Sequence, residues 1–282
     1  DTILNILEQH KERLDNYEQL KQHYNNQKTR IEKLEFFSKC RSIDGFPTSD
    51  SVYHFNPIMM VAEFGREQLI TKEMLNAICP NAGSNQELLN ALNKYCPQYQ
   101  INTPLRIAHF LAQTAHESGC FQNFGEGIYY RLSTALATWP SRNNDINKLP
   151  LDGRYLKQPD LFNAVYGTRN GNIAGTDDGY NFRGRGLIQL TGRTNYTNYQ
   201  ASHNAKNSDD IQDFINNPSL IATNINYAVE SACWFWDSNQ LNLLADQNVT
   251  DVTSVTRKIN GGTNGLTERQ EFFDAVKKVL GI

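Results

Sequence analysis

The chain has 282 residues, 39% hydrophobic and 20% charged, enough to bury a sizeable core and too rich in Leu, Ile, Phe and Tyr for a disordered protein. A formal charge of −3 supplies no basic field, which argues against nucleic acid held through its phosphates and favours neutral partners. No apolar run reaches the roughly 18 residues a membrane span needs, and the chain opens at Asp1 without a charged-then-apolar leader, so it reads as a processed protein or a piece excised from a longer one.

From Thr2 to about Phe37 the sequence predicts one long helix: Leu7, Leu14, Tyr17, Leu20, Tyr24, Ile31 and Leu34 recur at spacings of three, four or seven without Pro or Gly. Lys21 and Lys28 break its heptads, which favours packing on its own chain over a coiled-coil partner. A turn at Asp44-Gly45-Phe46-Pro47 and a short apolar helix at Ile58 to Phe64 follow, with a boundary near Gly65 that separates an N-terminal helical extension, residues 1–65, from a second domain, residues 66–282. Helix starts are expected at Thr71, at Asn81 to Ser84, and at Thr103-Pro104, where Pro occupies the first helical position. The last of these helices stops at Gly119, a natural C-terminal cap. Further helices are expected near Ile211 to Phe214, Asn226 to Asp237, Val252 to Ile259 and Glu268 to Leu280, and strand-like alternation is scarce, so the class is mainly α.

The cysteines Cys40, Cys79, Cys96, Cys120 and Cys233 are odd in number and lack a CxxC pair, against structural zinc and a dense disulfide framework. A Cys79–Cys96 bridge in an oxidising compartment is weighed against buried free thiols, which are favoured. The 13 Tyr and 14 Phe, with Asn frequent between Asn143 and Asn264, suit a surface that meets sugar hydroxyls as well as they suit a core.

The chemistry concentrates in AHFLAQTAHESGCFQNFGEGIYY, residues 108–130, which puts Glu117 at the end of an apolar helix and Glu126 in a loop bracketed by Gly125 and Gly127. A continuous helix would separate them by about 13.5 Å and turn them to opposite faces. Reversal after Gly119 instead lets two carboxyls face each other across a cleft, with the roughly 6.5 to 9.5 Å that an inverting glycosidase needs for its water. Apolar neighbours are expected to keep Glu117 protonated and a wetter loop to keep Glu126 ionised, against the alternative of two unrelated glutamates. A metal reading of His109, His116 and Cys120 lacks the HExxH spacing, so no metal or cofactor is expected. In DGYNFRGRGLIQLTGRTNY, residues 178–196, Gly184 and Gly186 allow close backbone approach to a ligand, and Gln189, Thr191 and Asn195 are read as sharing one side of an extended turn.

Taken with VYGTRNGN and INGGTNGLTERQEFF, residues 165–172 and 259–273, these stretches resemble glycoside hydrolase family 19, the group of plant-type chitinases and many phage and bacterial endolysins. The resemblance spans about Leu69 to Leu280 and implies a lysozyme-like, two-lobed helical enzyme. It implies Glu117 as general acid, Glu126 as general base, and Thr191 holding the attacking water. It further implies Gln189, Asn195 and Asn260 as sugar contacts, Tyr180 among the substrate-binding residues, and Arg269 as the basic residue that pairs near the acid. The family's His-Glu-Ser-Gly-Gly reads His-Glu-Ser-Gly-Cys here, with Cys120 in place of the second Gly. GFPTSDSVYHFNPIMMVAEF, within residues 34–64, is similar to the region preceding catalytic domains in type VI secretion effectors and related phage tail enzymes. The implied reading is a secreted peptidoglycan-cleaving lysozyme acting in a target cell's periplasm, with an immunity protein and secretion-apparatus components as partners beside the glycan strand. Chitinase is the nearest alternative; an idle wall-binding module and a metal-dependent amidase are those of other classes.

Overall fold

A computed structural model describes residues 68–282, together with residues 8, 9, 11, 17, 18, 20–22, 24 and 25. The chain divides into two compact units, Asp1–Arg66 and Glu67–Ile282. In the first, the expectation of one continuous helix is overturned. Lys21 Nζ lies 2.6 Å from Glu8 Oε1, whereas thirteen residues of helix would hold those positions about 20 Å apart. Lys11 and Lys21 both sit over the face of the buried Tyr17 ring, at 5.2 and 5.4 Å. The turn expected at residues 44–47 and the helix expected at residues 58–64 lie outside the described residues.

The regular structure of the second unit is almost entirely helical. Its elements are α1 (Lys72–Ile78), α2 (Gln86–Tyr95), α3 (Pro104–Glu117), α4 (Leu132–Thr138), α5 (Asn143–Ile146), β1 (Leu151–Asp152), β2 (Tyr155–Leu156), α6 (Asp160–Tyr166), α7 (Asp178–Asn181), α8 (Arg193–Lys206), α9 (Leu220–Thr223), α10 (Ile225–Ser238), α11 (Leu241–Gln247), α12 (Thr253–Asn260) and α13 (Leu266–Leu280). The start signals act as caps: Thr71 accepts the Met74 N–H at 3.3 Å and Thr103 the Arg106 N–H at 3.4 Å, each filling an orphan donor of the first turn. α2 begins at Asn85, which caps Leu88, because residues 82–84 form only a 3₁₀ turn. The helix expected near Ile211 to Phe214 is absent: that stretch is irregular, and Asn204 and Gln200 from α8 bond its backbone at Gln212 and Ile215 instead.

α3 is the axis of the fold. Ile107, Ala108, Phe110, Leu111, Ala112 and Ala115 are buried round its circumference, as befits a helix sheathed by others, and α13 packs along it. Phe110 meets the edge of Trp236 from α10 at 5.3 Å. Burial of each such side chain contributes about 1.5 to 3 kcal/mol. A second, smaller core gathers Ala135, Ile146, Leu156, Leu161 and Val165, with Tyr130, Trp139 and Tyr166 packed against it. Residues 124–130 join the two cores, since Phe124 packs on the large one and Tyr130 on the small one.

Of the cysteines, Cys96 is the buried free thiol expected and Cys79 is not. Cys79 bridges to Cys120, 41 residues on, while Cys96 and Cys233 stay free and buried with sulfurs 3.9 Å apart. The turn carrying Cys120 brings it to α1, and sequence spacing holds no trace of that approach.

Candidate active site

Glu117 is the last residue of α3, and the turn after it is fixed in detail. The Cys120 N–H bonds Ala115 O at 2.7 Å and the Gly119 N–H bonds His116 O at 3.2 Å, the paired pattern of a Schellman cap that satisfies carbonyls left open by the helix end. Gly119, Cys120 and Phe121 all take positive φ, at 57°, 59° and 59°. A left-handed conformation costs a side-chain-bearing residue about 1 to 2 kcal/mol, and here the Cys79 bridge and the Ser118 hydroxyl, which accepts the Phe121 N–H at 3.0 Å, hold it. Cys120 thus takes the left-handed conformation usual for glycine, and its sulfur, spent in the bridge, serves neither as metal ligand nor as nucleophile.

The first turn of α13 clamps the end of α3. Arg269, buried, donates through Nη2 to Glu117 Oε1, and its Nη1 bonds Gln113 Oε1 at 2.5 Å. Gln113 Nε2 in turn bonds Thr256 Oγ1 at 2.9 Å. Glu268 pairs with His116 Nδ1, and Gly265 packs so closely on that imidazole that an added Cβ would stand 2.0 Å from Cε1. Asn264 O accepts from Arg269 Nε at 3.3 Å and from Asn260 Nδ2 at 3.1 Å, which ties Asn260 into the same set. The apolar cradle expected round Glu117 is therefore, on one side, a buried guanidinium.

Glu126 is held differently. Its N–H bonds Gly184 O at 2.9 Å, its Oε2 accepts the Gly184 N–H at 3.2 Å, and its Oε1 accepts the Tyr166 hydroxyl at 3.0 Å. Gly184 is a site where backbone must come close: a Cβ there would lie 2.7 Å from Gln189 Oε1. Burial pushes the Glu126 carboxyl above its ordinary value, opposed by the Gly184 N–H, the Tyr166 hydroxyl and the charges of Arg183 and Arg185. The wet loop expected for Glu126 is overturned, because Tyr166 from the small core and residues 184–186 from the large one cover it. The same burial beside Glu126 holds the Tyr166 phenol well above its usual value, so it stays a donor.

Gln189, Thr191 and Asn195 do come together with Glu126, though not as an alternating run. Gln189 adopts positive φ, 55°, and folds back over Gly184; Thr191 Oγ1 donates to Gln189 O at 2.8 Å; Asn195, already on α8, donates to Thr191 O at 2.9 Å. Tyr180 enters through Arg183, whose guanidinium stacks 4.4 Å over the Tyr180 ring and donates to Tyr180 O. The eight expected side chains thus fall into two connected sets, Glu117 with Arg269 and Asn260, and Glu126 with Gln189, Thr191, Asn195 and Tyr180. Residues 118–125 link them. Sequence reasoning missed Tyr166 as a partner of Glu126, although VYGTRNGN contains it, and missed Gln113 and Thr256, which nothing in the sequence separates from core filler.

The family model for chitinase class I matches residues 156–256. A glycosyl hydrolase family 19 domain-containing protein of Haemophilus influenzae is 32% identical over 214 residues, spanning 74% of this chain and 96% of that protein. An acidic 27 kDa endochitinase of Solanum lycopersicum is 40% identical over 68 residues, 24% of this chain and 25% of that one. A crystal structure of a chitinase C variant superposes with a TM-score of 0.50 at 18% identity, over 77% of this chain and 94% of that one, a likeness of fold.

Proposed function

The chain belongs to glycoside hydrolase family 19, and from that membership we propose that it cleaves the β-1,4 bonds of bacterial peptidoglycan with inversion, Glu117 acting as acid and Glu126 as base. The roles follow the family's motifs, and the observation that supports them here is that Arg269 leaves one oxygen of Glu117 open while Glu126, on the linked loop, is held by Gly184 and Tyr166. Arg269 occupies Glu117 Oε1, leaving Oε2 to carry the proton, and stabilises the carboxylate that forms once the proton has moved to the glycosidic oxygen. Glu126 accepts the Gly184 N–H and the Tyr166 hydroxyl, two donors that favour the ionised form from which it acts as base.

As the C1–O bond breaks, a water attacks C1 from the opposite face and gives its proton to Glu126. The Thr191 hydroxyl spends its hydrogen on Gln189 O, so its lone pairs face outward to orient that water. Gln189, Asn195, Asn260 and Tyr180 are the proposed sugar contacts and residues 66–282 the catalytic domain. The resemblance of residues 34–64 to the leaders of type VI effectors supports secretion, an immunity protein as partner, and a rival cell's periplasm as the place of action. Mass spectrometry of purified peptidoglycan after digestion tests this reading: reducing-end muropeptides are expected from the wild type and not from Glu117→Gln. Free amines in their place would instead identify an amidase. Chitin is the second reading, favoured by the chitinase descriptions of the matching model and the tomato relative; digestion of chitin oligomers in parallel ranks the two substrates.

A further inference from the structure

Three residues beyond Glu126 stands an aromatic side chain that the fold does not use. Tyr129 is 75% exposed, the most of any large hydrophobic residue among those described, while its neighbour Tyr130 turns inward against Trp139, 4.9 Å between ring centroids. The β1–β2 hairpin lies alongside: the Leu156 N–H bonds Tyr130 O at 2.8 Å and Gln158 Nε2 bonds Ile128 O at 2.9 Å. This places the Tyr155 ring 5.5 Å from that of Tyr129, tilted by 56°, and the exposed Arg154 lays its guanidinium 5.1 Å over Tyr155.

Two rigid aromatic faces and a cation thus form one surface, contiguous in chain with the base, since three residues span at most about 11 Å. A tyrosine offers a large amphipathic face at little cost in conformational entropy, which suits it to stacking against a sugar. The guanidinium suits a carboxylate, which it can bind through paired N–H donors. A neutral N-acetylglucosamine polymer has no carboxylate for it; a glycan whose lactyl groups bear peptides does.

Resting on the peptidoglycan reading above, we infer that Tyr129, Tyr155 and Arg154 form a secondary binding site beside the cleft for a peptidoglycan strand, the tyrosines stacking a sugar and Arg154 taking a carboxylate of its peptide. The tyrosines add affinity for any glycan strand long enough to reach them, Arg154 adds affinity for anionic strands alone, and the site takes no part in bond breaking.

Cosedimentation of the full chain with purified sacculi reads binding without turnover, and KM and kcat on peptidoglycan and on chitin hexamers read its use. Tyr129→Ala is expected to weaken sacculus binding and raise KM about fivefold on both polymers, with kcat unchanged and Tyr129→Phe behaving as wild type. Arg154→Ala should weaken sacculus binding about fivefold, flatten its salt dependence, and leave chitin hexamers untouched. Wild-type binding of sacculi by both alanine variants overturns the site, and an Arg154→Ala loss equal on chitin and sacculi overturns the anionic ligand. Arg154-dependent binding without release of reducing ends defeats the peptidoglycan substrate while upholding the site; cleavage of sacculi with unchanged variants does the reverse.

Discussion

The two halves of this candidate site, built round the proposed acid Glu117 and the proposed base Glu126, use the same side chain in opposite ways. Glu117 sits at the end of a core helix, and a buried guanidinium with its own supporting chain of Gln113, Thr256 and Asn264 donates to it. Glu126 sits on a loop between two cores, met by a peptide N–H and a phenol, and is perturbed mainly by loss of water. One carboxyl is held by a guanidinium, the other lies between a peptide N–H and a phenol, so the two should respond to different kinds of change.

Turnover treats the halves alike and gives the largest effect: Glu126→Gln, like Glu117→Gln, is expected to lower kcat on the order of 10² to 10⁴-fold in reducing-end assays. Stability separates them. Arg269→Met leaves Glu117, Gln113 and Asn264 without their shared donor and should cost about 3 to 5 kcal/mol in urea unfolding, whereas Tyr166→Phe removes one hydrogen bond and should cost about 1 kcal/mol. The turn between the halves gives a finer test. Cys120→Gly and Cys120→Ala both lose the bridge to Cys79, but at φ 59° glycine should unfold later than alanine by about 1 kcal/mol. The smallest effect is on pH. In its proposed role as base Glu126 works only when ionised, and burial raises its pKa, so kcat/KM should fall as pH drops through a point above the ordinary glutamate value of 4.5. Tyr166 favours the ionised form, so Tyr166→Phe should move that acid limb to still higher pH, visible in the pH profile of kcat/KM.

Local chemistry made much of this legible. Thr71, Thr103-Pro104 and Gly119 mark the ends of α1 and α3 because caps are built from neighbouring residues. The pairing of Arg269 with Glu117 came from the family resemblance and not from spacing, for the two are 152 residues apart. Glu126 looked solvated because its flanking glycines are small, and only the return of Tyr166, 40 residues later, covers it. The Cys79–Cys120 bridge and the contact of Lys21 with Glu8 were illegible for the same reason, since each depends on an approach that no short-range period records. Gln189 and Asn195 reach the base side by a backward fold and a new helix, where the pattern had read alternation.

The linking stretch from Ser118 to Gly125 works as a ruler. Both its ends are pinned, one by the Schellman cap and Ser118 O, which accepts from Gln122 and Asn123, the other by the bridge of Gly125 to Arg185. Inverting chemistry tolerates a spread of roughly 3 Å between its carboxyls, and one extended residue adds about 3.3 Å. A single insertion or deletion there would consume the whole tolerance, so under the proposed mechanism the length of this loop, more than the identity of most of its residues, sets whether a solvent molecule fits between Glu117 and Glu126 and which anomer the product carries.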